Sequence, residues 1–235
     1  MARKYVAFDL EIVKGFPDGA DWRGYRPLGI SCAATLAADA QTPTLWYSST
    51  ADDRPADAMN RQDLARLVDH LKSMVAGGYT VLTWNGLGFD FDVLAEESGK
   101  GEECRALAVE HVDMMFHVFC EQGYPVGLDA AARGMNLPGK LEGMSGLLAP
   151  QMWAEGKRQQ VLDYVAQDVR MTLDLAVACE KQSRFRWVTR RGTTQSMALP
   201  GGWLTVDAAM KLPQPDTSWM SKPIPRRNFT GWLRS

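Results

Sequence analysis

The sequence has no long apolar run. Nothing in it approaches the roughly 18 consecutive apolar residues of a membrane span. The start, MARKYVAFDL, carries Arg3 and Lys4, but no extended apolar stretch or small-residue cleavage site follows, so a signal peptide is not expected. Cysteine is scarce: Cys32, Cys104, Cys120 and Cys179 are scattered, with no CxxC pair and no ligand-like spacing. They read as reduced packing thiols of a cytoplasmic protein. The three histidines, His70, His111 and His117, form no HxxxH or HExxH pattern, which argues against a histidine zinc centre. There is no internal repeat, no low-complexity tract and no motif that points to a protein partner.

What is present suits one large domain, or one domain with an appendage: 235 residues, 46% apolar and 23% charged. The net charge of −2 hides an asymmetry. Residues 180–235 hold ten Lys/Arg against three Asp/Glu, a balance of +7, and residues 1–179 hold 16 against 25, a balance of −9. An acidic body with a basic end is expected.

Periodicity gives the elements. KYVAFDLEI is a first strand, with LGISCAATLA and PTLWYSST as antiparallel partners. MNRQDLARLVDHLKSMVAGG is a helix, because Leu64, Leu67, Val68 and Leu71 recur at helical spacing before a Gly-Gly stop. YTVLTWN is a fourth strand, FDFDVLAEESG a helix, and EHVDMMFHVFCEQG a short strand running into a helix. GLDAAARGMNL is helical, PGKLEGMSGLLAP a loop, and GKRQQVLDYVAQDVRMTLDLAVACEKQS the longest helix. FRWVTRRGTTQSMAL reads as a hairpin around Arg191-Gly192. Strands first, then strand and helix in alternation, predict an α/β three-layer domain with a mixed central sheet flanked by helices. Ligands in such sheets gather at the carboxyl ends of central strands.

The acids fall where that rule points. In YVAFDLEI, the residues Val6, Phe8, Leu10 and Ile12 share one parity, and Asp9 and Glu11 share the other. The two carboxylates therefore lie on one face of a strand, a costly arrangement unless something neutralises it. TWNGLGFDFDVL ends a strand at Asn85, turns through Gly86 and Gly88, and enters a helix at Asp90. DYVAQD sets Tyr164 and Asp168 one helical turn apart on one face. VDMMFH sets Asp113 after another short apolar stretch. Each piece alone has a plain reading: a solvated strand end, a capped helix start, a polar helix stripe. Together they suit a site for divalent cations built from oxygens. Two such ions about 4 Å apart activate a water and stabilise a leaving oxygen in phosphodiester cleavage.

FDLE, NGLGFD and YVAQD, in this order, resemble the three motifs of the DEDD superfamily of 3′–5′ exonucleases, in the branch that carries a tyrosine (DEDDy). The resemblance runs from Phe8 to Asp168. It is strongest to the exonuclease domain of family B DNA polymerases and its stand-alone bacterial relatives; HVDMM and GYPVGLDAAARGMNLPGK also look like that group. The resemblance implies an RNase H-like fold and two Mg²⁺ or Mn²⁺ ions. It implies hydrolysis from the 3′ end of single-stranded DNA or RNA. Asp9, Glu11, Asp90 and Asp168 would be the metal ligands, and Tyr164 would hold or help deprotonate the attacking water. Asp92 is the rival to Asp90, because Phe91 precedes it as Phe89 precedes Asp90; the spacing from Asn85 favours Asp90. Asn85 and Phe89 would line the path of the terminal nucleotides, Leu10 would wedge near the terminal bases, and Lys140 would meet a phosphate. No motif is missing, and without polymerase segments the sequence reads as a separate enzyme.

The family pattern largely ends with the long helix, so residues 1–183 form the expected exonuclease domain. Residues 184–235 form an irregular basic extension that holds Trp187, Trp203, Trp219 and Trp232, four of the eight tryptophans. Such a segment either straps the acidic body or follows single-stranded nucleic acid. Two other functions fit the same residues: a nucleic-acid-binding module with a vestigial site, and a two-metal endonuclease.

Overall fold

The computed structural model describes residues 3–139 and 145–234. Five strands form the main sheet in the order β3-β2-β1-β4-β5: β1 (Lys4–Ile12), β2 (Ile30–Ala37), β3 (Thr44–Trp46), β4 (Tyr79–Thr83) and β5 (Val112–Asp113). β1 pairs antiparallel with β2 and parallel with β4, and β4 pairs parallel with β5. The sheet is mixed, with β1 at its centre.

A central strand is covered on both faces, and β1 divides its side chains between two cores. Val6, Phe8, Leu10 and Ile12 enter one cluster with Leu64, Leu67, Val68 and Leu71 of α1 (Arg61–Ala76) and with α2 (Asp90–Ser98) and α3 (Gly101–Glu110). Tyr5 and Ala7 enter the other, under α5 (Leu128–Gly134), α6 (Ala149–Ala154) and α7 (Arg158–Gln182). α4 (Met114–Gln122) sits at the edge and feeds both. Each fully buried Leu or Val of α1 contributes about 1.5–3 kcal/mol. Asp9 and Glu11 have the parity of Tyr5 and Ala7, so they point to the layer that holds α7. Their partners across β2 are Ala34 and Cys32, short side chains that leave room beside the acids. The ladder then breaks its register between Glu11 and Ile12, which ends regular pairing just past the acidic pair.

Several elements differ from the sequence expectation. β3 keeps three residues, because only Ala33–Thr35 of β2 pair with it. α3 went unread: Gly99, the left-handed cap of α2 at φ 69°, and Gly101 look like a loop, although Cys104, Leu107 and Ala108 are buried at helical spacing. The expected loop, PGKLEGMSGLLAP, reaches only the first two residues of α6; Pro150 occupies its first turn, where a missing N–H is harmless, and Trp153 buries itself. β4 stops at Thr83, short of Asn85.

The basic end is built into the body. β6 (Arg184–Val188) and β7 (Thr194–Ala198) form the expected hairpin, with Gly192 at φ 77°. Phe185, Trp187 and Trp203 join one core cluster, and Trp232 joins the other together with Val206 and Ala209 of α8 (Val206–Met210). The Arg226 guanidinium donates to the carbonyls of Met210, Leu212, Cys120 and Pro213. It introduces the last short helix, α9 (Arg227–Thr230). Trp219 is the exception, at 66% exposure. No helix among the described residues is long and apolar enough to cross a membrane.

Candidate active site

A groove of about 690 Å³ opens at the carboxyl end of β1, between that strand, the turn after β4, and α7. Asp9, Glu11, Asp90, Tyr164 and Asp168 all line it, and so do Leu10, Asn85 and Phe89. Lys140 lies outside the described residues. Five residues that span 160 positions of sequence thus meet in one concavity, delivered by three different rules. Strand parity aims Asp9 and Glu11, helical spacing stacks Tyr164 over Asp168, and a tight turn delivers Asp90.

The turn is held by Asp113 at the end of β5. Its carboxylate accepts the backbone N–H groups of Asn85 (3.0 Å), Leu87 (2.9 Å) and Phe116 (3.0 Å). Asn85 sits in the left-handed region at φ 74°, a conformation that asparagine tolerates better than most residues. Glycine is required close by: a Cβ on Gly88 would lie 2.6 Å from the Asn85 Oδ1 and 2.8 Å from the Phe229 ring. Burial raises the Asp113 pKa to about 6, against the lowering effect of these amides.

Asp90 is buried, and its Oδ1 accepts the Leu10 N–H at 3.1 Å. Burial first, then the Asp113 and Asp168 carboxylates, raise its pKa well above the carboxylate range. The rival acid faces elsewhere: Asp92 pairs with Arg26 and, at 3.5 Å, with Arg23. Asp90 therefore shares the groove and Asp92 does not. Leu10 lines the groove, and its side chain, 3% exposed, packs in the core cluster with Phe8 and Ile12. Phe89 is half-buried and meets Trp22 edge-on with centroids 5.0 Å apart.

Tyr164 is 1% exposed. Burial raises its pKa far above that of free tyrosine, and the charges of Asp168, Glu11 and Asp9 and a hydrogen bond to Asp168 add to the rise. Three carboxylates are thus close enough to Tyr164 to act on its proton. The three histidines take no part in the groove lining. His111 is a satisfied core residue, 2.9 Å from the Thr83 hydroxyl and 2.8 Å from the Ala108 carbonyl, and burial lowers its pKa to about 3.

The oxygen donor set fits a hard divalent cation. No lysine, arginine or histidine is among the described lining residues, and a further carboxylate, Asp129, joins the wall. Among the described residues no three His, Cys, Asp or Glu side chains converge tightly enough to cage an ion by themselves. Mg²⁺ does not need such a cage, because it keeps several waters and takes one or two carboxylates plus substrate phosphate. Asp129, Phe16, Trp84 and Leu147 of the lining escaped the sequence reading. The Asp129–Arg133 ion pair, 2.9 Å and one helical turn apart, looks in sequence like ordinary surface pairing.

A family model of the RNase H superfamily matches residues 40–179, more than half of the chain. The chain belongs to the RNase H superfamily, and fold and family support a nuclease. The chain is similar in structure to the family B DNA polymerase of the hyperthermophilic archaeon Pyrobaculum calidifontis. The TM-score is 0.54 at 20% identity, over 77% of this chain and 25% of the polymerase. This chain thus spans about a quarter of that polymerase. A search of curated proteins finds no significant match.

Proposed function

We propose that the chain is a metal-dependent 3′–5′ exonuclease of the tyrosine-containing DEDD branch, acting on single-stranded ends. One observation carries the reading: four carboxylates and a tyrosine, from three motifs far apart in sequence, line one groove without a described basic neighbour. Asp9, Glu11, Asp90 and Asp168 would hold the divalent ions, which would supply Lewis acidity for a water and for the charge on the leaving oxygen. The Leu10 N–H and the Asp113-held turn keep Asp90 aimed into the groove. Tyr164, a poor base at the ordinary tyrosine pKa of about 10, would orient the water, while the ions would do most of the acidifying. Phe89 and Asn85 flank the terminal nucleotide, Phe89 through its ring and Asn85 through its amide. Residues 1–183 carry this chemistry, and residues 184–235 are the extension that completes both cores.

The test is a time course on a 5′-labelled single-stranded oligonucleotide, DNA and RNA in parallel, with Mg²⁺, Mn²⁺ or EDTA. A metal-dependent ladder that shortens from the 3′ end, absent in Asp9→Ala, is expected. A circular single strand should survive; its cleavage would mark an endonuclease. Binding of both substrates without turnover in either metal would sink the reading in favour of a binding module.

A further inference from the structure

The groove has no basic residue among its described lining, yet a nucleic-acid strand brings one negative charge per nucleotide. Cations beyond the described lining can supply charge to the phosphates behind the terminal nucleotide. A second cavity, of about 720 Å³, lies next to it. The two share a wall: Phe89 lines the groove, Trp22 lines the cavity, and their rings touch. The loop after β1 and the last turns of the tail build this cavity. Both lie outside the 40–179 family match.

Three arginines line the cavity: Arg23, Arg26 and Arg227. Two are committed. The Arg23 and Arg26 guanidinium groups lie 4.5 and 4.7 Å from the Trp22 ring centre, and both pair with buried Asp92. Arg23 also donates to the Asn228 carbonyl at 3.0 Å and lies 3.7 Å from Asp21. Asp21 and Asp92 thus offset the two arginines. Arg227 is exposed, and its side chain has no ion pair or hydrogen bond among the described residues. Arg26 also lies 3.5 Å from Glu96, so the acids are all engaged by Arg23 and Arg26, and Arg227 is the lining cation left to meet an incoming charge. Its backbone is well anchored. Arg226 before it reaches four carbonyls. Phe229 after it packs on Phe119 at 4.6 Å, and the Trp232 indole N–H donates to the Leu87 carbonyl at 2.7 Å. Leu87 belongs to the turn that delivers Asp90, so the tail is tied directly to the groove.

We propose that this cavity is a phosphate subsite for the backbone of the strand whose 3′ end enters the groove, with Arg227 as its contacting charge. The proposal rests on the exonuclease reading above. A phosphate contact carried by charge leaves a signature in the salt dependence of binding.

The experiment is a salt titration of labelled oligothymidylate and oligouridylate binding, followed by anisotropy. The full chain carries Asp168→Asn, so that the strand is bound and not cut. Arg227→Gln should lower affinity several-fold at low salt and make the plot of log K against log salt shallower by about 0.7, one single-strand phosphate. Arg227→Lys should keep the slope. In the active chain, the rise in KM from Arg227→Gln should grow with oligonucleotide length while kcat changes little. An unchanged slope in Arg227→Gln, or an equal loss in Arg227→Lys, overturns the subsite while metal-dependent cleavage by the parent chain leaves the exonuclease reading intact. A parent chain that neither binds nor cuts either strand removes both.

Discussion

Replacing Trp203 with alanine cuts into the packing that joins the tail to the body. Trp203 has no exposed surface. Its ring meets His117 and Phe185 edge-on, with centroids 5.5 Å away in each case, and its carbonyl accepts from the Arg3 guanidinium at 2.6 Å. Truncating a tryptophan in a closed core costs about 3–5 kcal/mol, transfer and cavity together. Each aromatic pair accounts for about 0.5–1.5 kcal/mol of such a loss. Trp203→Phe separates the apolar part from the polar part. The Trp203 indole N–H is buried without a hydrogen-bond partner among the described residues, a defect of about 1–3 kcal/mol. Phenylalanine removes that donor and keeps most of the ring, so its net cost should stay under about 1.5 kcal/mol. Urea unfolding followed by tryptophan fluorescence and far-ultraviolet dichroism reads both variants through the transition midpoint. One coincident transition is expected, with Trp203→Ala far below Trp203→Phe. A loss under about 1 kcal/mol in Trp203→Ala, or a separate early transition, would refute the argument that the tail completes the core. It would then make residue 183 a true domain boundary.

Asp168→Asn should abolish turnover with the fold intact by dichroism, whereas Tyr164→Phe should cost less than the roughly 100-fold at which proton-transfer catalysis begins; equal losses in single-turnover assays would contradict an orienting tyrosine. Asp113→Ala strands the N–H groups of Asn85, Leu87 and Phe116, two of these contacts buried and one half-buried, and should destabilise by on the order of 3 kcal/mol in urea, at about 1–3 kcal/mol per buried unpaired group. Asp113→Asn keeps one acceptor oxygen and sets an NH₂ against one amide, so its loss should fall between parent and Ala; a midpoint equal to that of the parent would mean that the turn holds without Asp113.

The sheet centre was legible because β1 alternates two apolar sets around two acids, and a strand buried on both faces leaves that pattern. α1 was legible from the spacing of four apolar residues. α3 was not, since the glycines beside it look like a loop and its register shows only in what covers it. α6 and α8 were not, because helices of six and five residues are too short for a period to show. The tail resisted for another reason. Its aromatic and basic residues have no period, and tertiary contacts decide that Trp203 and Trp232 are buried while Trp219 is exposed.

At the site, the motif order marked the acids and the spacing from Asn85 favoured Asp90, but what holds Asp92 away from the groove is not local. Two acids two residues apart at a helix start differ by about 200° around the axis, so one faces the groove and the other faces away. What makes the second orientation tolerable is Arg23 and Arg26, some seventy positions earlier in a loop without periodicity. Those arginines neutralise Asp92 and, stacked on Trp22, form the wall that Phe89 leans on. The same contacts explain why the loop after β1 and the tail meet: Arg23 donates to Asn228, and Trp232 donates to Leu87. Disturbing the loop should therefore be felt at the turn that carries Asn85 and Asp90, directly through Trp22 on Phe89 and also through the tail. On the proposed reading, the chemistry would belong to the part of the chain that the sequence motifs describe, and the grip on a strand to the loop and the tail, whose charges acquire a direction only after folding.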